Sequence, residues 1–353
     1  MNMMKTQKAF TLLELLVVMT IIGMLAAMTV PAVNMVRSAA RKTQCANHLK
    51  QFGTAFSAFE ASNGGYPPVR SSDPRGGWSL ALLPYMEMKN IYAQFDDANI
   101  FSQGKANQML MRKRIPIFQC PATPDPDRLQ YLDSGDGTAK VADNTGISTS
   151  GYAVGSCTDY YVHDDGILLP DKKSDGGSRL LQNVLAAKDT KTPYVSIPDG
   201  LSNTIILDEM AGRPVRWAAG KLDINYTGGS ASVAGECGNR PLVCSWGGAA
   251  STKLTAWDVK GQNPFSTSNF NKSSFQKVVN ATNDGVYSFH PSGANALFLD
   301  NTVRFINEAI IPEVYLTFSA KDSKAIYTHS DLEVRDLTAL YPDGDDPTGL
   351  GRF

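Results

Sequence analysis

The feature that most constrains this sequence is an apolar run near its N-terminus, from Phe10 to Val33. Glu14 is the one charged residue in it. About 20 apolar residues are enough for a helix to cross the hydrocarbon core of a membrane. The run therefore predicts a transmembrane helix over residues 10–33, preceded by a polar leader over residues 1–9.

A secretory signal peptide is the main alternative for this segment. Its apolar region is shorter, carries no carboxylate and ends in a cleavage site between small residues. Here the polar leader, with Lys5 and Lys8, ends at Ala9, before the apolar run and not after it. Cleavage after Ala9 would leave the hydrophobic helix on the mature protein. We therefore expect the helix to remain as a membrane anchor.

Glu14 is unusual because an ionised carboxylate within lipid costs about 3 kcal/mol or more. The sequence has no Lys or Arg from residue 9 to residue 18. If the leader is cut after Ala9, the new ammonium group of Phe10 lies four residues from Glu14, in the same plane of the membrane. It could pair with Glu14 of its own chain or of a neighbouring helix. The alternative is a plain signal anchor in which Glu14 reaches the membrane interface.

Residues 8–27 (KAFTLLELLVVMTIIGMLAA) resemble the N-terminal cleavage and methylation motif of type IV prepilins and type II secretion pseudopilins. The resemblance implies that a prepilin peptidase/methyltransferase cuts between Ala9 and Phe10 and methylates the new amine. It also implies that Glu14 sets the register between assembling subunits and that Pro31 bends the helix. The family usually has glycine where this chain has Ala9, and alanine is still a small residue.

The resemblance also implies partners and a location. The expected partners are the prepilin peptidase/methyltransferase, the membrane, and like or related pilin subunits that contact the N-terminal helix. The protein would cross the inner membrane once, with its N-terminus in the cytoplasm and its C-terminal domain in the periplasm or at the cell surface. The flanking charges do not decide this orientation, because Lys5 and Lys8 precede the span and Arg37, Arg41 and Lys42 follow it.

The helix is predicted to continue beyond the membrane. Apolar residues recur every three or four positions from Val33 to Phe59, which is typical of an amphipathic helix. Asn63 and Gly64 follow, and both tolerate the left-handed conformation that ends a helix. The chain is thus divided into a cytoplasmic leader (1–9), a transmembrane helix (10–33), an amphipathic continuation (34–62) and an extracytoplasmic pilin-like domain (63–353).

The rest of the chain has the composition of a globular domain. The 353 residues are 42% hydrophobic and 19% charged, with a net charge of −1, which gives no basic field for nucleic acid. Frequent Gly and Pro after residue 62 indicate short strands and many turns. We therefore predict an α+β fold, in which a pilin-like long N-terminal helix packs on an antiparallel β-sheet with large β-rich insertions.

Short apolar runs locate further elements. Asp300 and Asn301 separate two of these runs and both accept positive φ, which predicts a hairpin with a type I′ turn. Helices are predicted at 79–95 and 106–113, and strands at 115–118, 194–197, 204–207, 286–290, 294–299 and 302–306.

The large domain is similar to an uncharacterised bacterial family in which a prepilin-type N-terminus precedes a domain of unknown function. That family ends in a His-x9-Asp-Gly motif, for which this chain has His290 and Asp300 with Asn301 in place of glycine. Because the family has no established activity, the resemblance implies a location and a mode of assembly but no reaction. The other shared motifs are CANHLKQ (45–51), GYPP (65–68), the segment 78–85, FQCP (118–121) and DGLSNT (199–204).

Two of these motifs have no evident role. His290 and Asp300 flank one predicted strand, so we expect them to be far apart and His290 to be a turn or core residue. Asp199 and Asn203 are interpreted as an Asx-type turn that begins a strand. The sequence contains no Gly-x-Ser-x-Gly elbow and no Gly-rich phosphate loop with lysine. We therefore predict that the protein is not an enzyme and uses no organic cofactor.

Calcium is the metal that the sequence favours. Asp159, Asp164 and Asp165 are close together in an oxygen-rich segment of the kind that binds calcium, although the spacing is not that of an EF-hand. The resemblance supports this candidate, because related pseudopilins include calcium binders. Zinc is disfavoured, since the four histidines and five cysteines show no closely paired spacing.

All five cysteines would lie outside the cytoplasm, where disulfides persist. Cys45 and Cys120 could join the helix to the sheet, and Cys237 and Cys244 could close a small loop. Either pairing requires a Cα separation below about 7 Å. Cys157 would then be left over, and a set of buried free thiols is the alternative.

Two functions remain open. One is assembly of a membrane-anchored, pilin-like structural protein, with type II secretion as a candidate system. The alternative is a stand-alone surface protein that uses the prepilin helix only as an anchor and binds a carbohydrate or protein ligand. Its binding surface would consist of the aromatic residues Trp217, Tyr226, Trp246 and Trp257.

Overall fold

The structure is a computed structural model. It divides into two compact units, Met1–Thr43 and Gln44–Phe353, and each is described here by itself. The residues that it describes are 12–72, 75–95, 105–131, 154–163, 167–170, 178–181, 183–186, 188–213, 217–222, 245–247, 251–252, 278–281, 285–310, 314–315 and 318–321.

The described residues contain both helices and strands, which confirms the predicted α+β class. The α-helices are α1 (Leu12–Asn63), α2 (Trp78–Leu82), α3 (Lys89–Tyr92) and α4 (Lys105–Met111), and 3-10 helices cover Leu83–Met86, Pro116–Phe118, Tyr194–Ser196 and Leu201–Asn203. The strands are β1 (Arg70–Ser72), β2 (Arg75–Gly77), β3 (Leu129–Tyr131), β4 (Val154–Ser156), β5 (Tyr160–His163), β6 (Ile167–Pro170), β7 (Ser178–Leu181), β8 (Ile205–Glu209), β9 (Trp217–Ala218), β10 (Lys221–Leu222), β11 (Ser251–Thr252), β12 (Gly293–Phe298) and β13 (Val303–Asn307).

The dominant element is α1, which continues through Pro31 without a break in the helix. It ends at Asn63, one residue beyond the predicted continuation over residues 34–62, and Gly64 follows with a φ of +73°. The Gly64 amide donates to the Glu60 carbonyl at 2.8 Å and so closes the last turn. Glycine adopts this left-handed conformation without steric cost, and the sequence signal for the helix end is therefore accurate.

The N-terminal part of α1 is long and apolar enough to cross a membrane, and its most apolar stretch of 18 residues has no buried residue. Every large apolar side chain from Leu12 to Val36 is exposed within the structure. A continuous apolar surface of this extent is typical of a segment that lipid or other protein helices cover.

The C-terminal part of α1, which belongs to the second unit, supplies one wall of the core. Cys45, Leu49, Phe52, Phe56 and Phe59 are buried, and they recur at intervals of four and three residues on one helical face. Two aromatic contacts define the packing against the rest of the unit. Phe56 stacks on Trp78 at 5.6 Å between ring centroids, and Phe52 lies 5.1 Å from Phe118.

The central sheet has the strand order β11-β5-β8-β12-β13. All neighbours are antiparallel except β11 and β5. Leu207 pairs with Leu297, and Glu209 with Tyr160. Leu297 lies close to α1 and Tyr160 contacts Phe52 of α1. Because side chains alternate along a strand, Leu207 and Glu209 face α1 while Asp208 faces the opposite side of the sheet.

Three predicted strands are wrong. Residues 116–118 form a 3-10 helix, because Pro116 sets the φ of its first position. Residues 194–196 form another, in which the Ser196 amide donates to the Pro193 carbonyl at 3.0 Å. Residues 286–290 form isolated bridges, Val279 with Val286 and Met210 with Tyr287, and no continuous strand. The predicted helix at 79–95 is divided into α2, a 3-10 turn and α3, since Glu87 has a φ of +60°.

The predicted hairpin is confirmed as β12 and β13, but its predicted type I′ turn is wrong. Of the two turn residues, Asn301 has a positive φ of +63° and Asp300 does not. The Asn301 amide donates to the Phe298 carbonyl at 3.0 Å, and the Phe298 amide donates to Thr302 at 2.9 Å. This is a three-residue loop that ends in a left-handed residue, a common alternative to the two-residue turn.

Candidate functional site

The predicted processing site, Ala9 and Phe10, lies outside the described residues. Glu14 lies near the N-terminal end of the described part of α1. Thr20 and Thr29 donate their hydroxyl groups to helix carbonyls at 2.7 and 3.2 Å. These side chains therefore satisfy their own hydrogen bonds within the helix, as a lipid environment requires.

A disulfide joins Cys45 of α1 to Cys120, which follows the 3-10 helix at Pro116–Phe118. Their Cα atoms are 5.3 Å apart, below the limit of about 7 Å for a disulfide. Cys157 is a buried free thiol, and burial raises its pKa to about 12. Cys237 and Cys244 lie outside the described residues, so their pairing remains a prediction.

Two further side chains complete a buried group around this disulfide, which we call the Cys45 cluster: Cys45, Cys120, Glu209 and His290. One sulfur, oxygen or nitrogen atom of each lies within 4.8 Å of the others, and all four residues are buried. His290 Nε2 is 3.4 Å from Cys120 Sγ and 3.5 Å from Glu209 Oε1. The cluster thus combines sulfur, imidazole and carboxylate in one buried group.

Neighbouring residues hold the side chains of the Cys45 cluster in position. Asn295 donates from its backbone amide to Glu209 Oε2 at 2.8 Å and from its side chain to Oε1 at 3.0 Å. The His290 amide donates to Ser288 Oγ at 3.1 Å. The Cys120 amide donates to Asp159 Oδ2 at 2.9 Å. The side chain of Glu209 and the backbones of His290 and Cys120 are therefore each fixed by a hydrogen bond from outside the cluster.

Asp159, a predicted calcium ligand, is fully buried and uses both carboxylate oxygens within the protein. Oδ1 accepts from Arg128 at 2.5 Å and from the Gly212 amide at 3.0 Å. Oδ2 accepts from Thr123 at 3.0 Å and from the Cys120 amide. Asp164 and Asp165 lie outside the described residues. The arrangement makes Asp159 the centre of a structural network, and calcium binding remains a prediction.

A third buried carboxylate, that of Asp208, lies on the side of the sheet that faces away from α1. Asp208 accepts from Tyr315 Oη at 2.6 Å and lies 2.5 Å from His163 Nε2. Burial raises the pKa of Tyr315 well above its usual value, and the negative charge of Asp208 raises it further. The tyrosine therefore stays a neutral donor that stabilises the buried carboxylate.

The two motifs without an assigned role meet each other. The Asp300 amide donates to the Leu201 carbonyl at 3.2 Å, and the Asn203 side chain donates to the Asp199 carbonyl at 3.2 Å. The Asp199–Asn203 turn leads into β8, which begins at Ile205. His290 is not part of this group. It belongs to the Cys45 cluster and precedes β12 in the chain, whereas Asp300 follows β12. The structure thus separates His290 from Asp300 and joins Asp300 to the other motif.

The aromatic residues proposed for a ligand-binding surface lie in different environments. Trp246 is buried, stacks on Phe118 at 5.7 Å and donates its ring N–H to the Lys113 carbonyl at 2.9 Å. Trp217 is half-buried and packs edge-on against Phe289 at 4.9 Å. Tyr226 and Trp257 lie outside the described residues. Trp246 is therefore a core residue, and a shared aromatic surface remains a prediction.

The sequence did not reveal that Glu209 belongs to the Cys45 cluster or that Asn295 donates hydrogen bonds to it. It also did not reveal the buried group of His163, Asp208 and Tyr315. One signal was available. Asp208 and Glu209 directly continue the apolar run Ile205–Leu207, and acidic residues within a central strand are buried only when they have partners. The identity of those partners could not be obtained from the sequence, because His290 lies 170 residues from Cys120.

Comparison with known protein families gives two matches. A family model described as Protein of unknown function (DUF1559) matches residues 34–313, which is more than half of the chain. A second model, described as Prokaryotic N-terminal methylation motif, matches residues 4–30. No curated protein and no solved structure shows significant similarity to the chain.

Proposed function

The chain belongs to the family described as Protein of unknown function (DUF1559) and begins with a prokaryotic N-terminal methylation motif, and we propose that it is a processed structural subunit that assembles through its N-terminal helix. The methylation motif and the apolar helix make it a pilin-like, membrane-anchored protein with a single span. Beyond this, we propose that the chain is processed, that it assembles, and that it acts in a secretion system.

The exposed apolar surface of α1 carries this proposal. From Leu12 to Val36 the large apolar side chains are exposed among the residues that the structure describes. Lipid covers them while the subunit is in the membrane, and the helices of neighbouring subunits would cover them in an assembly. Transfer between these two environments needs little change in hydrophobic free energy, because both are apolar.

Glu14 and the new N-terminus would give this assembly its register. Cleavage between Ala9 and Phe10 creates an ammonium group four residues before Glu14, and methylation keeps its positive charge. A helix packed with an axial offset would place this group beside Glu14 of its neighbour. In lipid such a pair is favoured, because a charged side chain without a partner there costs about 3 kcal/mol.

The second unit would remain attached to the helix under mechanical load. The Cys45–Cys120 disulfide and the aromatic packing of Phe52 and Phe56 hold the C-terminal part of α1 to the rest of that unit. A filament subunit needs such an attachment, since force passes along its helix. We therefore assign the domain a structural role and no catalytic one, in the inner membrane or in a type II secretion pseudopilus.

Two measurements test the proposal. Mass spectrometry of the native protein should show chains that begin at methylated Phe10. Glu14→Leu should leave the protein in the membrane fraction but remove filaments and crosslinked ladders. Thr20→Val is the matched control, because it exchanges a polar for an apolar side chain in the same span and should retain assembly.

The outcomes separate assembly from simple anchoring. A mature chain that begins at Met1 would contradict processing. Glu14→Leu with unchanged filaments, ladders and cellular function would contradict assembly and favour the stand-alone surface protein with a carbohydrate or protein ligand.

A further inference from the structure

We propose that the Cys45 cluster is a redox-controlled zinc site: when the Cys45–Cys120 disulfide is reduced, the two thiolates bind one Zn²⁺ together with His290 Nε2 and Glu209. Neither the assembly proposal nor the family matches assign a site here. In the oxidised form the disulfide would link α1 covalently to the sheet. In the reduced form the zinc ion would link them by coordination instead.

The distances already approach those of a tetrahedral zinc site. Zinc bonds of about 2.3 Å to sulfur and about 2.0–2.2 Å to nitrogen and oxygen place neighbouring ligand atoms about 3.4–3.8 Å apart. His290 Nε2 is 3.4 Å from Cys120 Sγ and 3.5 Å from Glu209 Oε1. All four ligand atoms lie within 4.8 Å of one another. After reduction the two sulfur atoms have to separate to about 3.8 Å.

The ligand set has the right number and chemistry for a closed site. Four ligands from cysteine, histidine and glutamate satisfy the coordination of zinc, and thiolate ligands favour zinc over calcium or magnesium. The three anionic ligands and the neutral imidazole leave one negative charge on the zinc complex. The disulfide form with a neutral imidazole carries the same charge, on Glu209, so the exchange adds no net charge to the core.

The residues around the cluster orient the ligands as the outer shell of a metal site does. Asn295 holds both oxygens of Glu209, and Oε1 retains a lone pair for the metal while it accepts the side-chain hydrogen bond. The Cys120 amide is fixed by Asp159, which Arg128 pairs in turn. The positions of the Glu209 carboxylate and the Cys120 backbone are therefore maintained by contacts that do not depend on the disulfide.

The exchange between the two forms is balanced when the reductant is a dithiol, such as a dithiol protein. Its two electrons break the S–S bond of Cys45 and Cys120, its own sulfurs form a disulfide, and its two protons pass to the new thiols. Zn²⁺ then forms two Zn–S bonds and releases both protons to solvent.

Cobalt is a suitable probe for this site, because tetrahedral Co²⁺ with thiolate ligands absorbs visible light and has a near-ultraviolet charge-transfer band. We would reduce the full chain in detergent with a phosphine, remove the phosphine without oxygen, and titrate Co²⁺. The expected result is one Co²⁺ per chain with both spectral features, displaced by one equivalent of Zn²⁺. The oxidised protein should show neither feature.

Variants assign the ligands. His290→Ala and Glu209→Gln should each lose the tetrahedral spectrum, and Asn295→Ala should weaken zinc binding by about 10–100-fold. Cys157→Ala is the matched control, since it removes the buried thiol outside the cluster and should retain the spectrum. Failure of the reduced wild-type protein to show the charge-transfer band overturns the proposal without recourse to any variant. An unchanged spectrum in folded His290→Ala overturns it as well.

Discussion

Asn301, at the tip of the β12–β13 hairpin, lies directly against Gly53 of α1. A Cβ atom at position 53 would overlap the Asn301 side-chain oxygen and lie 2.9 Å from Leu297 Cδ1. Asn301 also donates to Thr54 Oγ1 at 3.4 Å. Asn301 therefore has two structural roles. Its backbone forms the left-handed turn, and its side chain contacts the helix. A glycine in its place would supply the turn alone.

We expect Gly53→Ala to destabilise the domain. Alanine favours a helix over glycine by about 1 kcal/mol, whereas overpacking a filled core costs about 1–3 kcal/mol. Because the new methyl group would meet Asn301 and Leu297, the second effect should prevail and lower Tm in thermal unfolding followed by circular dichroism. Gly23→Ala is the control, since an added Cβ at position 23 of the same helix would meet no described atom within 4 Å outside the adjacent helix backbone.

Removal of the opposing side chain should restore stability. Asn301→Gly keeps the positive φ of the turn and opens space beside position 53. In the double variant Gly53→Ala/Asn301→Gly, the Tm loss should be smaller than the sum of the single losses. Strict additivity of the two changes would show that Gly53 and Asn301 do not interact.

The elements that could be predicted from sequence are those with local signals. Periodicity and the Asn63-Gly64 stop were sufficient for α1, and two alternating runs around Asp300 were sufficient for the hairpin. The strand predicted at 194–197 is wrong because a short run with β-branched residues resembles a strand, while the amide and hydroxyl groups of Ser196 both donate to the Pro193 carbonyl and close a 3-10 turn. Short apolar runs beside proline are ambiguous for this reason.

The Cys45 cluster could not be predicted because its members come from four separate segments of the chain. The compartment favours a pairing of Cys45 with Cys120, but the sequence indicates only a turn or core position for His290 and no partner for Glu209. Zinc was disfavoured because zinc motifs are recognised by close spacing in sequence, whereas these ligand atoms come together only through the packing of α1 on the sheet.

We expect loss of the Cys45–Cys120 disulfide to cost about 4 kcal/mol of unfolding free energy, from the entropy of a chain loop that spans 75 residues. The double variant Cys45→Ala/Cys120→Ala should show this loss in urea unfolding with a chelator present. Cys157→Ala is the control for a buried cysteine outside the disulfide, and it should retain the faster mobility of the oxidised chain in a non-reducing gel. Equal midpoints for wild type and the double variant would contradict a stabilising disulfide.

Asp159→Asn should destabilise the protein by about 3–5 kcal/mol, since it leaves the Arg128 charge buried without its carboxylate. The NH₂ group of the asparagine would also face backbone or side-chain donors whose hydrogen bonds the carboxylate accepts in the wild type. We expect the same loss in Tm with excess calcium and with a calcium chelator, because both Asp159 oxygens are already occupied by the protein. Calcium stabilisation of the wild type that disappears in Asp159→Asn would instead identify Asp159 as a calcium ligand.

Asp300 should give a pH-dependent contribution to stability. Burial by itself would raise its pKa, but hydrogen bonds from Thr302 and Ser202 and the charge of Arg304 lower the pKa below the ordinary value of 3.8. The unfolded chain therefore takes up a proton first, and the contribution of Asp300 is present above about pH 4 and lost as pH falls through the folded-state pKa.

The corresponding measurement compares Asp300→Asn with the wild type over a range of pH. The Tm difference between them should be largest at neutral pH and should shrink below about pH 4. Thr302→Val removes one hydrogen bond to the carboxylate. The Tm difference between Thr302→Val and the wild type should therefore shrink over the same pH range. A difference that stays constant from neutral to acidic pH would contradict the role assigned to the Asp300 charge.

Ala9→Leu tests whether assembly depends on the new N-terminal charge. A large side chain before Phe10 should block the peptidase, because its site accepts a small residue there in the family that this N-terminus resembles. The chain should stay in the membrane with Glu14 intact, yet no ammonium group would form beside Glu14. We therefore expect loss of filaments and crosslinked ladders, measured by shearing and by crosslinking of whole cells. Ala9→Gly is the matched control and should be processed at least as fast as the wild type. Filaments built from unprocessed Ala9→Leu chains would show that assembly does not require the charge pair.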